Sequence, residues 1–243
     1  MAMKSLIISI INLFSEDMTM KIALIGKGKT GGKILELHPK EDIVLFDSEN
    51  PVTVEKLSQC DVAIAFIPGP VFNNIIPILV DSKIPVVTGA TGAELPGHLE
   101  TTLVENKLTW IQGSNFSLGM RIVHQMIKKL QHTSTLFSDY QFKIHEIHHT
   151  KKIDGPSGTA LSWEQWLAES AEITFERTGD VVGDHQITLN TPFEKISLRH
   201  EALDRKIFAQ GALWAAKYLL SNLNTEYGLK YFEDITEQLL TDK

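Results

Sequence analysis

A succession of short apolar runs separated by segments of helical spacing constrains this chain more than anything else in it. The first run, Lys21-Ile22-Ala23-Leu24-Ile25, ends in glycines, and others follow at 43–46, 61–67, 85–88 and 108–111. Runs this short, apolar on both faces and bounded by turn residues, read as buried strands. Between them, residues 30–37, 71–80 and 94–105 carry the apolar spacing of helices. Strands buried on both faces and alternating with helices imply a parallel sheet covered on both sides. The fold class expected for residues 20–115 is therefore α/β, a Rossmann-like doubly wound nucleotide-binding domain.

The rhythm changes after about Phe116. Residues 120–130 form an amphipathic helix, 139–147 an alternating strand and 159–171 a helix. Two runs with period-two alternation follow at 185–191 and 194–200 without a helix between them. Consecutive strands of this kind imply a mixed or antiparallel sheet. Residues 116–204 are thus expected to form a second, α+β domain. Helices at 205–223 and 232–240, within residues 205–243, are expected to return to the first domain. Residues 1–19 hold a short apolar run at 6–14, but Phe14-Ser15-Glu16-Asp17 offers no small-residue cleavage site. They read as an extension outside the fold rather than a secretion signal.

Charge narrows the functional classes. Lys plus Arg number 23 and Asp plus Glu 30, a net charge of −7. That balance argues against nucleic acid as a partner, which calls for a basic face. No apolar run is long enough to span a bilayer, so no membrane partner is expected. Cys60 is the only cysteine; it precedes an apolar strand, reads as a structural thiol and is compatible with a reducing, cytoplasmic setting.

The first candidate site is Gly26-Lys27-Gly28-Lys29-Thr30-Gly31, a G-x-G-x-x-G run between a strand and a helix. Gly26 permits the tight turn, Gly28 lets backbone approach a pyrophosphate, and Gly31 lets helix and strand pack closely. Asp47, at the end of the second strand, is spaced to bind adenosine ribose hydroxyls, or is a surface turn residue. A carboxylate there favours NADH over NADPH by repelling a 2′-phosphate, while Lys27 and Lys29 soften that preference. Gly89, Ala90 and Thr91 follow the fourth strand, and Gly113, Ser114, Asn115 and Phe116 follow the fifth. Both segments lie at carboxyl ends of strands, where ligands bind in open sheets. Asn115 and Phe116 also fit capping and packing.

The run from Glu146 to Ala160 is the most distinctive. His148 and His149 leave a strand, Lys152 follows, and Gly155-Pro156-Ser157-Gly158-Thr159 opens a helix. The first N–H groups of a helix, here those of Gly158 and Thr159, suit a carboxylate. Two His and a Lys supply proton chemistry and cationic contacts near neutral pH. Such a loop suits a small dianionic substrate beside a proton donor. Metal ligation by the paired His, and a plain N-cap by Ser157 or Thr159, are the alternatives.

This run closely resembles the E-x-H-H-x-x-K-x-D-[AG]-P-S-G-T-A signature of the 4-hydroxy-tetrahydrodipicolinate reductases. Gly89-Ala90-Thr91-Gly92 is similar to their G-T-T-G loop, and Gly113-Ser114-Asn115-Phe116-Ser117-Leu118-Gly119 to A-P-N-F-S-x-G. Arg199-His200-Glu201-Ala202-Leu203-Asp204-Arg205 and Phe208-Ala209-Gln210-Gly211-Ala212 resemble the family's closing stretch, so the likeness covers nearly all of residues 21–240. It implies reduction of 4-hydroxy-tetrahydrodipicolinate, a small dicarboxylate, with NADH or NADPH in diaminopimelate and lysine biosynthesis. It implies that His148 is the proton donor/acceptor and Lys152 a proton donor. His149, Lys152, Gly158 and Thr159 would hold the substrate carboxylates. Gly89, Ala90, Thr91 and Gly113, Ser114, Asn115, Phe116 would meet the nicotinamide half. It further implies a homotetramer joined through the sheets of the second domain.

The chain departs from that pattern in places. Its glycine loop is shorter than the G-x-x-G-x-x-G of many members. Ser48 follows Asp47 where several members carry an Arg that meets a 2′-phosphate, which adds weight to NADH. Phe66-Ile67-Pro68-Gly69-Pro70 replaces a D-F-T or D-F-S stretch, Ala90 replaces Thr, and Ser114 replaces Pro. Other two-domain dehydrogenases fit less well. A semialdehyde dehydrogenase needs a nucleophilic Cys in its catalytic domain, and Cys60 lies in the first domain. A non-catalytic nucleotide sensor would not need His148 and Lys152.

Overall fold

The computed structural model describes residues 20–90, 92–223 and 226–241. The expectations for residues 1–19 and for Thr91 lie outside the described residues. The chain divides into two compact units. One holds the residues up to Ser117 together with Lys206–Ile235; the other holds Leu118–Arg205 and the residues from Thr236 on.

In the first unit, β1 (Ile22–Ile25), β2 (Ile43–Phe46), β3 (Val62–Ala65), β4 (Val86–Thr88), β5 (Thr109–Gln112) and β10 (Gly228–Tyr231) form one sheet. Its order is β10-β5-β4-β3-β1-β2, and every pair is parallel. β1 and β3 are buried at all positions, as runs apolar on both faces must be in a covered sheet. The chain winds outward from β1 to β2, then returns past β1 to β3 and onward. That reversal opens a crevice beyond the carboxyl ends of β1 and β3. The helices are α1 (Gly31–Leu37), α2 (Val54–Leu57), α3 (Gly69–Asp81), α4 (Leu99–Glu105) and α7 (Lys206–Ser221). Phe72 of α3 meets Trp110 of β5 edge to face in a core where both are fully buried. Cys60 packs against this core, and burial pushes its thiol pKa up, as for a structural rather than a nucleophilic cysteine.

Two departures from the expected elements have local causes. Residues 94–98 stay outside α4, since Pro96-Gly97 interrupts the helical spacing there. β10 is unheralded because it is a four-residue edge strand with part-exposed Leu229 and Lys230 and an exposed Tyr231, so no apolar run marks it.

The second unit is built on β6 (Gln141–His148), β7 (Ala171–Arg177), β8 (Gly183–Asn190) and β9 (Lys195–Ala202), in order β7-β6-β8-β9. β6 and β7 run parallel; β6–β8 and β8–β9 are antiparallel, so the sheet is mixed. α5 (Leu118–Leu130) and α6 (Gly158–Leu167) supply its helical layer. Met120, Val123 and Ile127 of α5 and Ala160, Trp163 and Leu167 of α6 bury against Phe142, Ile144, Ile187 and Leu189. Burying each large side chain contributes roughly 1.5–3 kcal/mol. The expected helix over 159–171 ends early, at Leu167, where Ala168 turns left-handed at φ 54°. The chain then enters β7, whose Glu172, Glu176 and Arg177 obscure the apolar alternation of Ile173 and Phe175. α8 (Phe232–Thr241) closes the described chain.

α7 packs on α1 and lies over β3, β4 and β5. Its approach depends on Gly211: a Cβ there would sit 1.7 Å from the Phe116 carbonyl oxygen. In an open helix Gly→Ala gains roughly 1 kcal/mol. Here overpacking of about 1–3 kcal/mol outweighs that gain. Gly211→Ala is therefore expected to lower the melting temperature, read by calorimetry; a higher one would mean the contact yields freely.

Candidate active site

In the first unit, the turn after β1 is shaped by two glycines. Gly26 has φ 95°, and a Cβ on Gly31 would lie 2.0 Å from the Gly26 carbonyl oxygen. Neither position admits a side chain. A Cβ on Gly28, by contrast, would meet nothing within 4 Å. This backbone thus faces open space at the start of α1, as a cradle for a pyrophosphate requires.

Asp47 follows β2 and holds its own turn. Its Oδ1 accepts from the N–H of Glu49 (2.9 Å) and of Asn50 (3.1 Å). Its Oδ2 meets the Lys27 ammonium at 2.7 Å. Lys27 and the two N–H groups hold the Asp47 carboxyl below its usual pKa, and Asp47 raises that of Lys27. The glycine loop and the acid are thus tied together by the Lys between the first two glycines.

The two other loops of this unit also meet. Gly89, Ala90, Gln112, Gly113, Ser114 and Glu233 are among the residues lining a cavity of ≈ 560 Å³. The Ser114 N–H (3.0 Å) and hydroxyl (2.7 Å) both donate to Glu233. Asn115 and Phe116 behave as the capping and packing residues their types allow. Asn115 Oδ1 accepts from Ser117 N at 2.9 Å. Phe116 is 2% exposed, wedged between Phe66 and Phe232 with ring centroids 5.5 and 4.7 Å away.

In the second unit the chemistry gathers around a carboxylate to which the sequence pattern assigned no role. Phe142, Ile144, Glu146 and His148 alternate along β6 and are the buried face of that strand. Glu146 has no solvent exposure. Its Oε1 accepts from Ser157 N at 2.8 Å and from Arg177 Nη2 at 3.1 Å. Its Oε2 accepts from the Ser157 hydroxyl. His185, directly opposite Glu146 on β8, brings Nε2 to 3.3 Å of the same oxygen, and His148 Nδ1 lies at 3.6 Å. Burial alone would raise the Glu146 pKa; the Ser157 and Arg177 donors outweigh it and hold the group below the usual range.

The imidazoles respond in the opposite sense. Burial, with Lys152, Arg177 and His149 nearby, lowers the His148 pKa against the pull of Glu146. Burial and His148 bring that of His185 down to about 4. Near neutral pH His185 is uncharged.

Lys152 lies in the loop after β6, its ammonium on both Asp154 oxygens at 2.9 and 2.7 Å. Arg177 pins that loop by donating to the carbonyls of Lys152 (3.2 Å) and Asp154. Ser157 caps α6, accepting from Ala160 N at 3.2 Å. Gly158 and Thr159, the first residues of that helix, have N–H groups that no intrahelical carbonyl reaches. The His149 backbone N–H donates to Val181, while its ring Nδ1 is buried without a hydrogen bond. Glu146, His148 and His185 place ligand atoms within 4.8 Å of one another. Yet a guanidinium and both Ser157 donors already engage both oxygens of the carboxylate, which favours proton chemistry over a cation there.

Sequence reasoning missed Arg177, on an unexpected strand, and His185, whose place opposite Glu146 depends on register. Glu146 itself carried a signal: it stands two residues before His148 in a strand, which puts both on one face.

The profile described as "Dihydrodipicolinate reductase, C-terminus" matches residues 119–232. The 4-hydroxy-tetrahydrodipicolinate reductase of Christiangramia forsetii is 34% identical over 222 residues, which cover 82% of this chain and 92% of that protein. That of Thermosipho africanus is 32% identical over 233 residues, 94% of this chain and 92% of that protein. Among solved structures, dipicolinate-bound dihydrodipicolinate reductase from Paenisporosarcina sp. TG-14 superposes with a TM-score of 0.67 at 21% identity, covering 90% of this chain and all of that one; it shares the fold. With relatives matched at this identity along nearly their whole length, the chain belongs to the 4-hydroxy-tetrahydrodipicolinate reductase family.

Proposed function

We propose that this chain reduces 4-hydroxy-tetrahydrodipicolinate to tetrahydrodipicolinate with NADH or NADPH, as a step of diaminopimelate and lysine biosynthesis. The observation that carries the reading is the run from Glu146 to Ala160. It folds as a strand end bearing a buried imidazole, a loop bearing Lys152, and a capped helix start with unbonded N–H groups. A nicotinamide, when bound, would supply a hydride to the substrate ring, the reduction being balanced by one proton and by loss of the 4-hydroxyl as water. The chain's share is to hold the dicarboxylate and manage the proton. His149, Lys152, Gly158 and Thr159 take the carboxylates, with substrate displacing Asp154 from the Lys152 ammonium. His148 exchanges a proton with the ring, and Lys152 is a second proton source.

The open turn at Gly28 fits a dinucleotide's pyrophosphate, and Asp47 fits its adenosine ribose. NADH is favoured, because a 2′-phosphate beside the Asp47 carboxylate is repelled. Lys27 tempers this. Released from Asp47, its ammonium is able to meet a 2′-phosphate, so NADPH is accepted as well.

We further propose a homotetramer working in the cytoplasm. Phe175 on β7 and Ile196 on β9 are 47% and 46% exposed, apolar area of the kind a subunit interface covers. Light scattering on the purified chain tests the oligomer. Among the described residues no helix is long and apolar enough to cross a membrane.

The test of the reaction is absorbance loss at 340 nm with substrate made in situ from pyruvate and aspartate semialdehyde by a coupled synthase. Turnover that requires this chain is expected; NADH binding without turnover would leave a nucleotide sensor. His148→Gln should lower kcat by about 100-fold or more with NADH affinity retained, and an unchanged kcat removes the role given to His148. Lys152→Ala should lower kcat and raise KM together; full activity would sink its part in the proton route. Lys27→Ala should cut kcat/KM for NADPH roughly tenfold, the loss of one charge-assisted contact, and leave NADH nearly untouched. Equal losses with both cofactors would assign Lys27 to the shared pyrophosphate.

A further inference from the structure

We propose that Glu146 is a positioning residue that holds the neutral His148 ring with its proton on Nδ1, leaving Nε2 as the nitrogen that exchanges a proton with substrate. The inference rests on the proton role given to His148 above and adds which nitrogen works and what selects it.

The donors around Glu146 can be assigned one by one. A carboxylate offers about four lone-pair sites. Two on Oε1 are taken by Ser157 N and Arg177 Nη2. One on Oε2 is taken by the Ser157 hydroxyl. Having donated its proton, that hydroxyl accepts from Ala160 N at 3.2 Å and keeps a second lone pair for His185 Nε2 at 3.4 Å; the same nitrogen lies 3.3 Å from Oε2 but has its hydrogen bond to the hydroxyl. The fourth site falls to His148 Nδ1, at 3.6 Å from Oε2. Nδ1 is a buried atom with no hydrogen bond, on a residue 7% exposed. A small rotation of the ring closes that gap, as catalytic contacts commonly tighten when substrate binds.

The other nitrogen has room. A Cβ on Gly183 would lie 3.2 Å from His148 Nε2, so the glycine keeps that edge of the ring uncrowded. The proton balance is consistent. When the imidazolium gives its Nε2 proton to the substrate ring, it is left as the Nδ1–H tautomer that the carboxylate favours. The reverse transfer restores the cation. The charged and titratable groups facing the ring are Glu146 on its own strand, Arg177 from β7, His185 from β8, and Lys152 and His149 from the loop. Among these groups Glu146 is the anion, and it stabilises the imidazolium.

Glu146→Gln is the informative change. Ser157 N and Arg177 hold the amide oxygen in the place of Oε1. The amide nitrogen then faces His148 and donates to Nδ1, which traps the opposite tautomer. An Asp→Asn change beside a catalytic His in serine proteases acts through the same wrong-tautomer effect.

The experiment is ¹⁵N NMR of histidine-labelled protein across pH, with the His148 signal assigned through His148→Gln. In the wild-type protein the neutral ring should be protonated at Nδ1. In Glu146→Gln it should be protonated at Nε2, with its titration moved to lower pH. The variant's kcat should fall on the order of 10- to 100-fold, with its melting temperature and NADH affinity retained. Glu146→Asp, which keeps the charge, should restore the Nδ1–H form and part of the turnover. A wild-type ring protonated at Nε2, or a Glu146→Gln protein with unchanged tautomer and rate, would overturn the proposal. Should Glu146→Gln fail to fold, the wild-type spectrum decides alone. The NMR result is independent of turnover, so failure of the reaction assignment and failure of this inference are distinguishable.

Discussion

A fully buried carboxylate cannot be left to itself: stripped of water and unpaired, it costs several kcal/mol. Glu146 meets this demand by collecting donors from separate parts of the second unit, the cap of α6 and the end of β7, with imidazoles of β6 and β8 close beside it. Satisfying one charge therefore fixes the start of the helix that offers N–H groups, the strand whose Arg177 pins the Lys152 loop, and the ring beside it. Arg177 is well suited to this, since its planar fork bonds the carboxylate and two loop carbonyls together.

The first unit is organised by a different constraint, the absence of side chains. Gly26 and Gly31 let the turn and α1 close on each other, and Gly28 leaves the outer edge open. Asp47 is held by two backbone N–H groups of its own turn, so its position does not depend on Lys27. The ion pair between them lies at the surface, with Lys27 exposed and Asp47 part-buried, and contributes little to stability. It sets the cation that neutralises the acid on the glycine loop itself.

Much of this was legible in the sequence, for identifiable reasons. Strands apolar on both faces have no stable home except a covered parallel sheet, so β1 to β5 announced themselves. The Gly26–Gly31 loop and the Glu146–Ala160 run are long, local patterns whose spacing survives any tertiary context. The features that escaped are non-local. β10 lacks a continuous apolar run, since an edge strand need bury only part of its surface. β7 is charged for the same reason, and with it went Arg177. His185 is one of many residues in an alternating strand, and only the register that sets it opposite Glu146 gives it a partner.

The last strand to join the parallel sheet comes from the far end of the chain: Gly228–Tyr231 pairs with β5, and α7 lies over β3 to β5. The unit that holds the glycine loop is thus discontinuous, whereas the mixed sheet and its two helices come from one unbroken stretch between Leu118 and Arg205. On a ribosome the inserted unit has all its strands available first. The enclosing one must wait with an uncovered edge at β5 until Gly228–Tyr231 has been made. Closing so long a loop is slow and leaves apolar strand exposed meanwhile. The mixed sheet around Glu146 can therefore be complete before the parallel sheet that carries the glycine loop, although that loop comes first in the sequence.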